Sequence, residues 1–452
     1  MALAIRREKA REGDETNEQH RYRLAKMEES QQWLYAGMLA VIGAILTGTY
    51  FAVLGTPWES HLMEWLNIVV RVMHMTFGIA WIGASFYFVF LENALNRTKD
   101  VREELAGNLW AVHGGGFYYL EKYKIAPAKI PEDLHWFKYE AYFTWVSGMS
   151  LLFVVYYFNA SAFLIDKQVC DLSTWQAISL GTGSFITAWL LYDTACKKGL
   201  AQNGPLFALL GLGVAGLFAY GYTHLFSARA AYIHFGAMLG SIMAANVFFN
   251  IIPAQKAMVQ AAKEGRPLDP TLGKNAGLRS LHNNYFTLPV LFVMVSNHFP
   301  STFGHKYQWL VLLIISAGAA GVKHYLNLRE KGQLSVWVMP VSVLVLLSAA
   351  YITAPRLHPE ACGEVPFAAI QPIITQRCTP CHSSKPTDDT WTSPPNGVVY
   401  DTPNDVVKMK DKIMERVVLT QTMPQNNKTG MTPEERELIR CWVMGLKKRE
   451  GK

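Results

Sequence analysis

Residues 378–382 read Cys-Thr-Pro-Cys-His, and they lie in a C-terminal region that follows a long apolar sequence. A Cys-x-x-Cys-His run is the attachment motif of c-type haem. Its two thiols bond covalently to the porphyrin, and the adjacent imidazole binds the iron. The motif predicts haem c on Cys378, Cys381 and His382, and an oxidising compartment for this end of the chain. Because the motif is short, a zinc-binding or redox-active cysteine pair is the alternative interpretation.

Two further residues complete the predicted iron site. The sixth ligand is expected to be Met423, a thioether in the loop 422–426, because Met/His ligation is used in cytochromes c. Met431 is the second candidate for this role. Pro386 lies four residues after His382, and its backbone carbonyl is expected to hold the Nδ1–H of that imidazole.

The region 362–452 resembles a class I cytochrome c, which has the motif near its start, a Met-Pro loop and a final helix. Residues 432–435, Thr-Pro-Glu-Glu, predict the start of that helix through an N-cap, a proline and two acids in the first turn. Cys170, Cys362 and Cys441 are all expected on the oxidising side. Two of them can therefore form a disulfide, and the sequence does not select the pair.

Half of the residues are apolar and 17% are charged, a composition typical of membrane proteins. Nine apolar stretches approach the roughly 20 residues that a membrane-spanning helix needs, and the seventh is the shortest. We therefore predict an all-α, polytopic transmembrane bundle that carries the C-terminal cytochrome c domain. No cleavable signal peptide is predicted, because no apolar run occurs near the N-terminus. The nine stretches are 33–54, 66–91, 141–164, 174–192, 205–225, 230–252, 284–299, 307–326 and 335–354.

Positive charge alternates between successive loops, which predicts the orientation in the membrane. The tail 1–32 and the loop 92–140 each hold seven lysines and arginines, whereas the loop 55–65 holds none. This predicts a cytoplasmic N-terminus, a membrane domain over 33–354 and, after nine crossings, a periplasmic cytochrome c domain over 355–452. We expect the protein in the bacterial inner membrane. The net charge of +7 reflects this asymmetry and does not indicate nucleic-acid binding.

Ionisable side chains inside apolar spans are costly, so each is a candidate functional group. Arg71 and His74 lie three residues apart in the second stretch, and His234 and His298 are expected at a similar depth in later stretches. Helical bundles hold haem b between histidines of facing helices. His74 and His234 are therefore candidate ligands of a haem b, with His298 as a third imidazole and Arg71 available to a propionate. The alternative interpretation is a set of hydrogen-bonded core histidines.

A second group of polar residues is expected towards the cytoplasmic ends of the spans. Amide and imidazole groups beside aromatic residues suit a flat, polar heterocycle, and histidine is the usual general base near neutral pH. The alternative interpretation is an ordinary aromatic-rich membrane interface. The candidate catalytic residues are His282, His135 and Glu140. The candidate substrate-binding residues are His113, Asn283, Asn284 and Asn250.

Five strings of the apolar region are long enough to be specific. They are 81–88 (WIGASFYF), 113–119 (HGGGFYY), 134–138 (LHWFK), 234–240 (HFGAMLG) and 282–289 (HNNYFTLP). Together with the segment 397–403 and the Met423 loop, they make the chain from about residue 66 to its C-terminus resemble the membrane-bound bacterial urate oxidases that are fused to cytochrome c. The resemblance implies eight spans, where hydropathy predicts nine.

The resemblance also implies an activity, that of a urate dehydrogenase in purine degradation. Urate would be oxidised to 5-hydroxyisourate, and the electrons would reach the attached haem c and then a terminal cytochrome oxidase or a soluble cytochrome c. Oxygen would not be the direct acceptor, so hydrogen peroxide would not be made. Two other functions stay open on the residues alone: a quinol or other small-molecule:cytochrome c oxidoreductase, and a transporter with a fused redox domain.

Overall fold

The computed structural model describes residues 56–354 and 362–450, apart from 99, 128, 132–133 and 392, together with a few positions between 41 and 52. The predicted tail 1–32 and most of the first apolar stretch, 33–54, lie outside the described residues. The chain divides into two compact units, Met1–Leu66 and Asn67–Lys452. Apart from the first turns of the helix Pro57–Ala94, the features described below belong to the second unit.

The described part of the chain is mostly helical, and its N-terminal two thirds form a helical bundle. Short π-helical turns occur at Phe153–Tyr157, Ala160–Leu164 and Asn246–Ile251. The helices are α1 (Pro57–Ala94), α2 (Tyr139–Leu152), α3 (Thr174–Lys197), α4 (Gly204–Leu225), α5 (Ala228–Ala245), α6 (Ile252–Lys263), α7 (Pro270–Ser296), α8 (Pro300–Phe303), α9 (Gln308–Glu330) and α10 (Val338–Ile352).

Four helical segments among the described residues are long and apolar enough to cross a membrane. They are His61–Ala94, Gly204–Leu225, Ala228–Lys263 and Gln308–Glu330, and the apolar helix α10 is shorter. Every predicted stretch from 66–91 onwards overlaps a helix. The number of crossings and the orientation of the bundle remain predictions.

Side-chain caps explain where several of these helices begin. Ser173 and Gln176 form a reciprocal capping box at the start of α3. Asn203, Ser227 and Asp269 each accept a backbone N–H at the first turn of α4, α5 and α7. Because these side chains satisfy backbone donors that have no partner within the helix, they fix the first residue of each helix.

Helix α5 is the centre of the bundle. Its side chains are buried around most of its circumference, and Tyr232 and Phe235 are almost completely inaccessible. Glycines where α5 meets its neighbours allow this close packing. A Cβ on Gly236 of α5 would lie 2.5 Å from Val293 Cγ1 of α7. A Cβ on Gly181 of α3 would lie 2.8 Å from His234 Nε2 of α5. Larger residues at these positions would force α5 away from its neighbours.

An antiparallel hairpin departs from the predicted all-α fold. Strand β1 (Leu105–His113) pairs with β2 (Gly116–Tyr123). Gly114 and Gly115 both have positive φ, +58° and +80°, which is the geometry of a two-residue type I′ turn. The prediction missed the hairpin because it follows the apolar stretches, and residues 105–123 lie in the loop 92–140 between two of them.

The C-terminal region forms a small helical domain with its own core. Its helices are α11 (Phe367–Arg377), α12 (Pro403–Lys408), α13 (Lys410–Ile413) and α14 (Pro433–Glu450). Thr432 and Glu435 form a capping box at the start of α14, which confirms the predicted N-cap. A disulfide joins Cys362 to Cys441 of α14, and Cys170 is free. The pair that the sequence left open is therefore Cys362–Cys441.

Candidate functional site

The two motif cysteines lie on the turn that ends α11. Both thiols are free; Cys378 is buried in the apolar core of the C-terminal domain and Cys381 is half-buried. Burial raises the pKa of Cys378 to about 12 and that of Cys381 to about 11. A redox-active pair works as thiolates and has lowered pKa values. These surroundings disfavour the redox-pair interpretation.

The motif histidine is held by its backbone and by one ring nitrogen. Its Nδ1 lies 3.1 Å from the carbonyl oxygen of Val398, and the Tyr400 N–H donates to the His382 carbonyl at 2.8 Å. Burial lowers the pKa of His382, so the imidazole is neutral near pH 7. An Nδ1–H donated to Val398 leaves Nε2 for a metal. The carbonyl expected from Pro386 is thus supplied by Val398, because residues 398–400 run beside the histidine.

Both candidate thioethers pack against the same apolar core. Met423 is partly buried there, its N–H donates to the Arg416 carbonyl at 3.0 Å, and its own carbonyl accepts from Arg436 at 2.8 Å. Met431 is 3% exposed. The two thiols and the imidazole of the motif, with a thioether on the same apolar core as Cys378, are a donor set that fits a covalently attached haem c.

A hydrogen-bonded network lies within the bundle where α3, α5 and α7 meet. His282 Nδ1 is 2.7 Å from the Tyr192 hydroxyl, which also accepts from Asn246 Nδ2 at 3.1 Å. The same amide donates to Asn283 Oδ1 at 2.9 Å. Phe207 of α4 stacks on the imidazole with ring centroids 4.8 Å apart. The network fixes the orientation of the His282 ring and leaves Nε2 free of these bonds.

A buried ion pair supports this network. Arg279 donates to Asp193 Oδ1 at 2.7 Å and to Asn246 Oδ1 at 3.2 Å, and its guanidinium lies 5.0 Å from the centre of the Tyr192 ring. The apolar pattern of the sequence assigns Arg279 to a loop, although α7 begins nine residues earlier at Pro270. Its spacing of four residues from Asn283 is the signal that could have identified it.

Three of the predicted residues carry buried polar atoms that have no hydrogen-bond partner among the described residues. They are both side-chain atoms of Asn284, Nδ2 of Asn250 and Oε2 of Glu140. Asn284 is completely buried. Because buried polar groups are normally hydrogen-bonded, these atoms identify the bundle as a place where a polar ligand can bind.

Two predicted residues lie apart from the His282 network. His135 is exposed and packs edge-on against Phe137 at 4.6 Å. His113 is exposed at the end of β1, opposite Gly116. Both imidazoles are exposed, and neither contacts the described residues of the network.

His234, a candidate haem b ligand, is completely buried in the bundle. Its Nδ1 is 2.8 Å from the Ala230 carbonyl and its Nε2 is 3.1 Å from the Tyr157 hydroxyl, so both nitrogens are hydrogen-bonded. Aromatic rings close around it, with Phe226 at 4.7 Å and Phe185 at 5.8 Å. A haem b iron at Nε2 would have to displace the Tyr157 hydroxyl, and the ligand role of His234 stays a prediction.

The remaining residues of the predicted haem b site lie on α1 and just after α7. His74 Nδ1 lies 3.1 Å from the Thr144 carbonyl of α2, with its ring against Gly148. His298 is exposed just beyond α7, and Arg71 is exposed and donates to Asn67 on its own helix. His74 and His234 thus both have Nδ1 held by a backbone carbonyl, as metal-ligating histidines do.

Comparison with known proteins gives one match, and it covers the helical bundle. Residues 60–354 match the family described as Urate oxidase N-terminal. The matched region is the bundle and contains the His282 network, and it indicates an oxidoreductase that acts on urate. No curated protein and no solved structure matches the chain. Since the match covers more than half of the chain, the protein belongs to the urate oxidase N-terminal family.

Proposed function

We propose that the chain is an integral-membrane urate dehydrogenase. Urate and water would be converted to 5-hydroxyisourate, with the release of two protons and two electrons. The electrons would leave through the C-terminal domain to a terminal cytochrome oxidase or a soluble cytochrome c. Oxygen would then not be the direct acceptor, and hydrogen peroxide would not form.

The observation that carries the proposal is the order of two parts in one chain. A urate oxidase family region over 60–354 is followed by a domain in which Cys378 and Met423 contact one apolar core, with Cys381 and His382 in the same motif as Cys378. When bound there, haem c supplies one-electron acceptor chemistry. A substrate-oxidising domain fused to such an acceptor would pass electrons from the bundle to the C-terminal domain.

His282 is the proposed general base. The hydrogen bond between Nδ1 and the Tyr192 hydroxyl fixes the ring, so Nε2 is the nitrogen available to take a proton from a ring N–H of urate. Arg279 and Asn246 hold Tyr192 in place through the network. Such fixing of a base by a second residue is common in general acid–base catalysis.

The unpartnered amides are the proposed binding groups. Asn284 offers both a donor and an acceptor that lack partners among the described residues, and Asn250 offers a donor. Urate presents alternating N–H and C=O groups around a flat ring, which can satisfy such atoms. A few polar groups of this kind in an apolar site fix the orientation of a small ligand.

Anaerobic addition of urate to the purified holoprotein, with the haem c absorbance recorded, tests the proposal. We expect urate to reduce the oxidised haem in the absence of oxygen. A spectrum that stays oxidised would sink the urate function. Reduction by a quinol but not by urate would favour a quinol:cytochrome c oxidoreductase, and urate uptake into vesicles without reduction would favour a transporter.

A further inference from the structure

A cavity of 810 Å³ lies between the bundle and the C-terminal domain. The loop that contains Met423 closes one side of it. Gln425 donates to the Ala162 carbonyl at 2.6 Å, and Asn426 donates to the carbonyls of Ala162 and Ile165 at 3.2 and 3.0 Å. Because both domains contribute to its walls and are hydrogen-bonded beside it, the cavity is a built feature of the fold. Its volume is in the range of small-molecule sites.

Arg229 supplies a positive charge to this cavity without a carboxylate partner among the described residues. It lies in the first turn of α5, and its guanidinium packs over the Phe303 ring at 5.5 Å. Arg416 of the C-terminal domain adds like charge to its surroundings. A half-buried guanidinium of this kind is a binding group for an anion.

Two acceptors line the same cavity. Asp166 accepts the backbone N–H of Gln168 at 3.0 Å and has no cation partner among the described residues. Burial raises the pKa of its carboxyl group. Gln308 carries a buried Oε1 that lacks a donor in the same part of the chain. A ligand that satisfies both acceptors must bring N–H or O–H donors as well as negative charge.

We propose that this cavity binds a planar heterocyclic anion that carries ring N–H groups, with its anionic edge at Arg229 and its donors towards Asp166 and Gln308. Urate is the member of this class that the proposed function supplies, and the inference rests on that function only for the choice of urate. Sulfate carries negative charge but no donor, so it satisfies Arg229 and leaves the two acceptors without partners.

The cavity is a second site, separate from the His282 network. Arg229 lies in the first turn of α5, and Asn246 of the network lies just after its end. The two residues are therefore about 25 Å apart along the helix axis. A heterocycle in the cavity contacts the C-terminal domain directly, whereas one bound at His282 does not.

Equilibrium dialysis of urate against the electrochemically reduced holoprotein tests the inference, because the reduced protein cannot turn over. Loss of charged hydrogen bonds in Arg229→Gln should weaken one class of sites roughly 10- to 100-fold. We expect two urate molecules per wild-type chain and one per Arg229→Gln chain at the same urate concentration. Asp166→Asn should weaken the same class. Lys167→Gln is the matched control, since Lys167 pairs with Asp171 and does not line the cavity.

Equal stoichiometry and affinity in wild type and Arg229→Gln would overturn the inference, and so would competition by sulfate as strong as that by unlabelled urate. An unchanged haem c spectrum checks that each variant is folded. If urate fails to reduce the wild-type haem but Arg229-dependent binding is seen, the proposed function falls and the cavity site stands. If urate reduces the haem normally but no Arg229-dependent binding is seen, the cavity site falls and the proposed function stands.

Discussion

At the residue scale, the buried His234 and the half-buried His282 differ in which ring nitrogens are free to react. His234 has both nitrogens hydrogen-bonded within an aromatic shell. His282 has one nitrogen held by Tyr192 and packs against the rings of Phe207 and Tyr192. The first arrangement rigidifies a core, and the second orients a base. The two side chains look alike in the sequence, because their partners lie on other helices.

Replacing His282 tests its proposed role. We expect His282→Gln to lower kcat by roughly 10²- to 10⁴-fold, the usual contribution of a general base. Tyr192→Phe removes the hydrogen bond to Nδ1 and should lower kcat less than His282→Gln does. In the double variant the two effects should be only partly additive. Stopped-flow reduction of the haem by urate measures both. His224→Gln is the control, since His224 is exposed and stacks on Tyr220. A wild-type kcat in His282→Gln would show that His282 is not the general base.

The choice between the two thioethers is also a question about single residues. Met/His ligation raises the potential of cytochromes c, so Met423→Ala should lower the midpoint potential of the haem. Met431→Ala should leave the potential unchanged and reduce stability by about 2–5 kcal/mol, because it truncates a buried core side chain. Redox titration and thermal unfolding separate these effects. A fall in potential only in Met431→Ala would transfer the ligand role to Met431.

At the element scale, glycines determine how closely α3 packs on α5. A Cβ on Gly181 would lie 2.8 Å from His234 Nε2 and 2.9 Å from the Tyr157 hydroxyl, whereas one on Gly183 meets nothing within 4 Å. We expect Gly181→Ala to destabilise the bundle by about 1–3 kcal/mol through overpacking. Gly183→Ala should be neutral or stabilise by up to about 1 kcal/mol. Unfolding midpoints in detergent compare them, and equal shifts would refute the packing argument.

Elements were predictable where local chemistry and apolar pattern agree. Residues 432–435 show the start of α14 because a threonine, a proline and two acids coincide there. The β-hairpin was not predictable in the same way, because the aromatic residues on either side of Gly114 and Gly115 also suit a membrane interface. The His282–Tyr192 bond joins residues ninety positions apart. It depends on the packing of α3 against α7, which no local pattern contains.

At the scale of the whole molecule, the C-terminal domain is seated on the bundle through the loop that holds Met423. Gln425→Ala with Asn426→Ala removes three hydrogen bonds, worth about 1 kcal/mol each. We expect urate-driven reduction of the haem to slow because the docked state is less populated, while chemical reduction and the haem spectrum stay unchanged. Lys385→Ala, at an exposed position of the same domain, is the control. An unaltered urate-driven rate would show that docking by this loop is dispensable.

The disulfide between Cys362 and Cys441 has a consequence for how the protein matures. The residues it encloses include Cys378 and Cys381, so four thiols of one small domain enter the predicted oxidising compartment together. Four cysteines can pair in three ways, and only one of these joins Cys362 to Cys441. Biogenesis therefore has to be ordered: the outer pair must be oxidised while the inner pair is kept reduced, or wrongly joined chains must be reopened before a porphyrin can be attached.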